Sequence, residues 1–145
     1  MKILVVGAGG REHALSWKIS QSPLATKVFV APGNGGTELE TLITNVDIQA
    51  NDIEGLAEFA LEEKIDLTII GPEDPLVNGI TDRFNQIGLK CFGPSKSAAQ
   101  LEGSKEFMKK FLKRHNIPTA SYATFNDSNE AKRYVKEKGC PIVIK

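Results

Sequence analysis

The sequence predicts an α/β protein, a doubly wound and mostly parallel sheet with helices on both faces. Three observations carry this. Strand-like apolar runs alternate with helical-period segments over residues 1–93. The first strand, residues 3–6, is a continuous apolar run of the kind expected in a central strand buried on both sides. Gly7-Ala8-Gly9-Gly10 joins it directly to a helix start, the βα turn at which open parallel sheets hold ligands.

Each element follows from local chemistry. After strand 3–6, a helix runs from about Arg11 and ends before Ser22-Pro23, because proline disfavours helical geometry in the residue before it. Residues 27–31 form strand two, and 45–48 a short alternating edge strand. Asp52 caps a helix whose apolar positions Ile53, Leu56, Ala57, Ala60 and Leu61 share one face. Residues 67–70 are the next strand, closed by Gly71-Pro72. Asp74-Pro75 reads as an N-cap and first helical residue. Leu76, Val77, Ile80, Phe84 and Ile87 then form a single helix's buried stripe, and residues 90–92 end the sheet.

The composition changes after Gly93-Pro94. Helices over about 95–101 and 104–115 precede Ile117-Pro118, followed by a strand over 121–125, a helix to about 138 and a strand over 141–145. The expected organisation is a sheet domain over 1–93, a helical linker over 94–117 and an incomplete second domain over 118–145. So short a final segment is far below the size at which a core sustains itself. The chain is therefore expected to be the opening of a longer protein; the alternative is a tail that packs back on the first domain.

Eighteen basic and eighteen acidic residues cancel, which argues against a duplex-binding or membrane-surface protein. No apolar run reaches the roughly 18 residues of a membrane span, and Met1-Lys2 leads into a strand rather than a signal peptide. Cys91 and Cys140 lack metal-ligand spacing and read as buried free thiols in a reducing, cytoplasmic compartment. Lys109, Lys110, Lys113 and Arg114 share a helix with Phe107, Met108, Phe111 and Leu112, an amphipathic pattern with a solvated basic face.

The glycine loop is the chemical signal. Glycines let a ligand approach the backbone, and the helix start presents unpaired N–H groups to an anion. Arg11 in the first helical turn opposes the helix dipole, and a guanidinium facing a phosphate gives it a reason to be there; the other reading is a solvated arginine. The dinucleotide fingerprint fails twice. Glu12 stands where G-x-G-x-x-G needs its last glycine, and strand two ends in Ala31-Pro32-Gly33-Asn34 without the ribose-binding acid. One phosphate with a sugar fits better than a pyrophosphate. Asn34 offers a directional amide in a glycine-rich loop, or belongs to a plain surface turn. Glu73 at a strand end can accept from sugar hydroxyls, or complement a helix dipole. His13 has no partnered nucleophile and reads as packed or capping, and Trp17 as helix-packing surface.

Taken together, Gly9-Gly10-Arg11-Glu12-His13-Ala14, Ala31-Pro32-Gly33-Asn34, Gly71-Pro72-Glu73-Asp74-Pro75-Leu76 and Leu101-Glu102-Gly103-Ser104-Lys105 resemble, in order along the chain, the phosphoribosylamine–glycine ligase (glycinamide ribonucleotide synthetase) family of the ATP-grasp superfamily. The resemblance covers only that family's N-terminal domain, a Rossmann-like pre-ATP-grasp unit, and the opening of its ATP-grasp domain. It implies a ligase of de novo purine biosynthesis that joins glycine to 5-phosphoribosylamine through glycyl phosphate, giving glycinamide ribonucleotide, ADP and phosphate.

By that resemblance Gly9, Gly10, Arg11, Asn34 and Glu73 would hold the phosphoribosyl substrate, and Lys105 and Lys145 would reach the ATP phosphates. No catalytic residue and no metal ligand falls within the chain. ATP and Mg²⁺ (or Mn²⁺) would serve the longer enzyme, which is expected to be a cytoplasmic monomer acting on small molecules, with no nucleic-acid or membrane partner. The glycine-rich loop and Mg²⁺ ligands expected after Lys145 are missing, so this polypeptide alone is expected to be inactive. A non-catalytic phosphosugar-binding module and, less favoured, an NAD-dependent oxidoreductase are the competing readings.

Overall fold

A computed structural model describes residues 1–144 and divides the chain into two compact units, Met1–Gly103 and Ser104–Lys145. The first unit holds five parallel strands: β1 (Lys2–Gly7), β2 (Lys27–Pro32), β3 (Ile43–Asn45), β4 (Leu67–Ile70) and β5 (Cys91–Phe92), in the order β3-β2-β1-β4-β5. Between them run α1 (Gly10–Ser20), α2 (Gly35–Glu38), α3 (Ile53–Glu62), α4 (Glu73–Asn78) and α5 (Ile80–Gln86), with α6 (Lys96–Gly103) last. This is the doubly wound α/β fold that the alternating pattern predicts.

β1 is central, and its alternation divides the core. Leu4 and Val6 point into a large cluster with Phe29, Leu56, Ala60, Ile80 and Phe84, beneath α3 and α5. Ile3 and Val5 point the other way, to Val28, Val30 and Ile43. All four are 0–5% exposed, which is why the run reads as apolar on both faces. At ~25 cal/mol per Å² of buried apolar surface, these side chains are the main favourable term of the unit.

Several elements depart from expectation. The edge strand is β3, ending where 45–48 was expected to begin. Val46 and Ile48 pack on the larger cluster just past the strand, with the Val46 N–H still donating to the Val30 carbonyl of β2 (2.9 Å). The helix expected from Asp74 begins at Glu73, with extended Pro72 as its cap residue. Pro75 lies in the first turn, where its missing N–H costs nothing. That helix is also two. Gly79 adopts the left-handed region (φ 102°), and its N–H closes α4 on Pro75 and Leu76 carbonyls before α5 starts. The segment 94–103, expected in a linker, is largely α6, which packs on α4 and buries Ala99.

The second unit contains α7 (Lys105–Arg114), capped by Ser104, and α8 (Ser128–Lys138), capped by Asp127. The strand expected over 121–125 is irregular, as are 141–144 of the expected final strand. A strand exists only through a neighbour's hydrogen bonds, and neither segment has one among the described residues. Lys145, the end of that strand, lies outside them. Cys91 is partly buried and its thiol pKa is pushed up, first by burial and against a hydrogen bond to Thr81. Cys140 is exposed, contrary to the expectation of two buried thiols; it follows α8 in a segment that buries nothing. Among the described residues no helix is long and apolar enough to cross a membrane.

Candidate functional site

With β2 on one side of β1 and β4 on the other, the chain changes direction at β1, the switch point where open parallel sheets bind ligands. Three loops meet there at the carboxyl edge: Gly7 to Gly9 after β1, Gly33-Asn34 after β2, and Gly71-Pro72 after β4. Backbone bonds tie them together. Gly33 N–H donates to the Gly7 carbonyl (3.2 Å) and Gly71 N–H to the Val6 carbonyl (3.0 Å).

Asn34 is the second tie. Its Oδ1 accepts from the amides of Gly36 (2.7 Å) and Thr37 (3.0 Å), capping α2, while Nδ2 donates to the Ala8 carbonyl (2.9 Å). One side chain thus joins the second loop to the first. His13 stands behind this loop, with Nε2 3.1 Å from Glu40 Oε1 and its ring against Gly36.

Gly10, Arg11 and Glu12 open α1, and their amides have no carbonyl within the helix to bond. A Cβ built on Gly10 would meet nothing within 4 Å, and Gly10 and Arg11 are exposed, so the helix start is open to solvent at those two residues. Arg11 is 70% exposed, with Nη2 3.8 Å from Glu73 Oε2 and Nε 3.9 Å from Glu12 Oε1. At those distances the guanidinium is loosely held between two carboxylates and can turn to an anion above the helix start. Glu73 begins α4 with half its side chain in solvent. An open cavity of about 410 Å³ adjoins Arg11 and Glu12, walled by Leu15, Ile69, Gly71 and Phe92.

Of the sequence-predicted residues, the structure brings Gly9, Gly10, Arg11, Asn34 and Glu73 to one sheet edge. Lys105 is the exposed first residue of α7 in the second unit. Lys145 lies outside the described residues. Glu12 is a residue whose role the sequence pattern alone does not assign. It is 3% exposed and accepts the Gly9 N–H at 2.8 Å through Oε2. Part of the signal is local: Glu three residues after a helix cap is the reaching-back half of a capping box.

Comparison with known proteins places the family and the fold. The model of the phosphoribosylglycinamide synthetase N domain matches residues 1–102, and that of the same synthetase's ATP-grasp (A) domain matches 103–145. The chain is 61% identical to phosphoribosylamine–glycine ligase from Haemophilus influenzae and 61% identical to that from Escherichia coli K12, over all 145 residues. It spans 34% of the length of each of these relatives. The N5-carboxyaminoimidazole ribonucleotide synthetase structure from Thermotoga maritima shares the fold, with a TM-score of 0.63 at 21% identity over 94% of this chain and 36% of that one.

Proposed function

The chain belongs to the phosphoribosylglycinamide synthetase family, and on that premise we propose that it is the N-terminal part of the ligase joining glycine to 5-phosphoribosylamine. In the whole enzyme ATP would phosphorylate the glycine carboxylate. The phosphoribosylamine amine would then attack the acyl carbon, releasing phosphate and forming glycinamide ribonucleotide. This chain's share is to hold the nucleophile's phosphoribosyl group. The observation that carries the reading is the open helix start at Gly10, with unpaired amides and an exposed Arg11 above it.

In this reading the 5-phosphate receives the Gly10 and Arg11 amides and the Arg11 guanidinium. Glu73, across from Arg11, accepts from ribose hydroxyls. Asn34 keeps the second loop closed on the first and so frames the pocket, with Gly9 in the loop it frames. Lys105 and Lys145 neutralise ATP phosphates as the phosphoryl group moves. Mg²⁺ or Mn²⁺ is assigned to parts of the enzyme beyond this chain. Among the described residues no group of three His, Cys, Asp or Glu could hold a metal, so those present do not fit one. The whole enzyme is proposed as a cytoplasmic monomer acting on small molecules, and this chain alone as catalytically silent.

Calorimetric titration of this chain with glycinamide ribonucleotide tests the assignment. We expect saturable 1:1 binding that weakens at least tenfold in Arg11→Met. Absence of binding would count against a preformed pocket, and an unchanged affinity in Arg11→Met would remove Arg11 from it.

A further inference from the structure

The three glycines nearest the switch point are not shaped around a ligand. A Cβ built on Gly7 would collide with Glu12 Cγ, one on Gly9 would stand 2.8 Å from Glu12 Oε2, and one on Gly71 would collide with Glu12 Oε1. Two loops are stripped of side chains to make a slot, and the Glu12 side chain fills it. In the dinucleotide-binding turn the corresponding position is a glycine and the space is left for pyrophosphate. The Gly9 amide, which such a turn offers to a phosphate, is already donated to Glu12 Oε2 (2.8 Å). The other oxygen, Oε1, is buried and has no hydrogen-bond partner among the described residues. A phosphate oxygen entering there would meet another acceptor, while a hydroxyl or amine donor would satisfy it.

We propose that Glu12 is the specificity-determining residue of this turn: its buried carboxylate takes the second-phosphate position and leaves a one-phosphate site at Gly10 and Arg11. The carboxylate also holds the loop in shape before any ligand arrives, because it supplies the acceptor that a pyrophosphate supplies elsewhere. Exclusion here rests on occupied volume and a spent donor, so it does not require the negative charge itself. The inference deepens the phosphoribosyl reading and rests on it for the ligand at Gly10.

The test uses this chain, its Glu12→Gln and Glu12→Gly variants, and amide NMR with two probes, ribose 5-phosphate and ADP-ribose. In the wild-type chain without ligand, the Gly9 amide should exchange at least tenfold more slowly than its intrinsic rate. Glu12→Gln, which keeps an acceptor and the volume, should retain that protection and still reject ADP-ribose. Glu12→Gly should lose the protection and gain at least tenfold in affinity for ADP-ribose relative to ribose 5-phosphate. If Glu12→Gly does not fold, Glu12→Ser carries the same expectation. An unprotected Gly9 amide in the wild-type chain, or a freed Gly9 amide with no gain for ADP-ribose, would overturn the proposal. Failure of ribose 5-phosphate to bind the wild-type chain would instead contradict the phosphoribosyl reading, leaving the exclusion of ADP-ribose to be judged by the variants.

Discussion

The first unit surrounds β1 with two apolar clusters, whereas the second, Ser104–Lys145, has two well-capped helices and no buried residue among those described. Both units obey the same local rules. Asp52 caps α3 through the Gly55 amide, and Ser104 caps α7 through that of Phe107, at 3.0 and 3.2 Å. The basic face of α7 is balanced by an apolar stripe of Phe107 and Phe111, whose rings stack 6.5 Å apart. What differs is the partner. The central strands and α3, α4 and α5 of the first unit bury apolar side chains, while α7 and α8 bury none. Caps and periodicity set where helices form; burial decides which of them are held by a core.

The largest break in that comparison should come from the core. Phe84 is fully buried beneath β1 and β4, so Phe84→Ala is expected to cost about 3–5 kcal/mol. Phe111→Ala, in α7, should change the same transition by less than ~1 kcal/mol. Urea denaturation followed by Trp17 fluorescence measures both, because Trp17 is the sole tryptophan and lies in α1 of the first unit. Equal losses would mean that α7 unfolds in the same cooperative transition that Trp17 reports, and would contradict the contrast.

The thiols give a second, smaller contrast. Cys140 is exposed, while Cys91 is partly covered, with its pKa raised by burial and so less thiolate at neutral pH. In the native chain Cys140 should react with an aromatic disulfide reagent at least tenfold faster, on the order of 1.4 kcal/mol in barrier. In denaturant the two rates should converge. Equal native rates would show that α5 and β5 do not shield Cys91.

How much of this the sequence reveals depends on whether a signal is local. The β1 run, the cap at Asp52 and the helix expected from Ser104 are short-range, and the elements they mark formed, whereas the single helix expected over the Leu76–Ile87 stripe is broken in two at Gly79. The shift of the edge strand to 43–45, the assignment of α6 to the first unit and the failure of 121–125 to pair depend on contacts with distant residues, which no window of sequence contains. The site shows the same split. Gly9, Gly10 and Arg11 are legible because a strand, a glycine turn and a helix start are contiguous. Glu12 is legible only in part: its capping-box position is local, but its place in the slot depends on Gly71, far along the chain.

The smallest effect belongs to the surface pair Glu54–Arg83, which links α3 to α5 with Arg83 Nη2 donating to Glu54 Oε2 at 2.6 Å. Hydrogen bonding to Arg83 holds the Glu54 pKa below the ordinary carboxylate value. A carboxylate depressed in the folded state adds stability above its unfolded pKa and loses it as pH falls through the folded one. The contribution should therefore fade below roughly pH 4. Glu54→Gln should remove that part of the acid-side slope in urea midpoints, by an amount small for so exposed a pair. An identical slope in the variant would show that the pair is not formed in solution.

The most direct measurement is an amide NMR titration of this chain with glycinamide ribonucleotide, with NAD as the control. Saturable shifts concentrated at Gly9, Gly10, Arg11 and Glu73 with the ribonucleotide, and none with NAD, are the predicted result. Shifts at the same amides with NAD, or ribonucleotide shifts confined to residues away from the β1 switch point, would contradict the assignment of this sheet edge to a phosphoribosyl group.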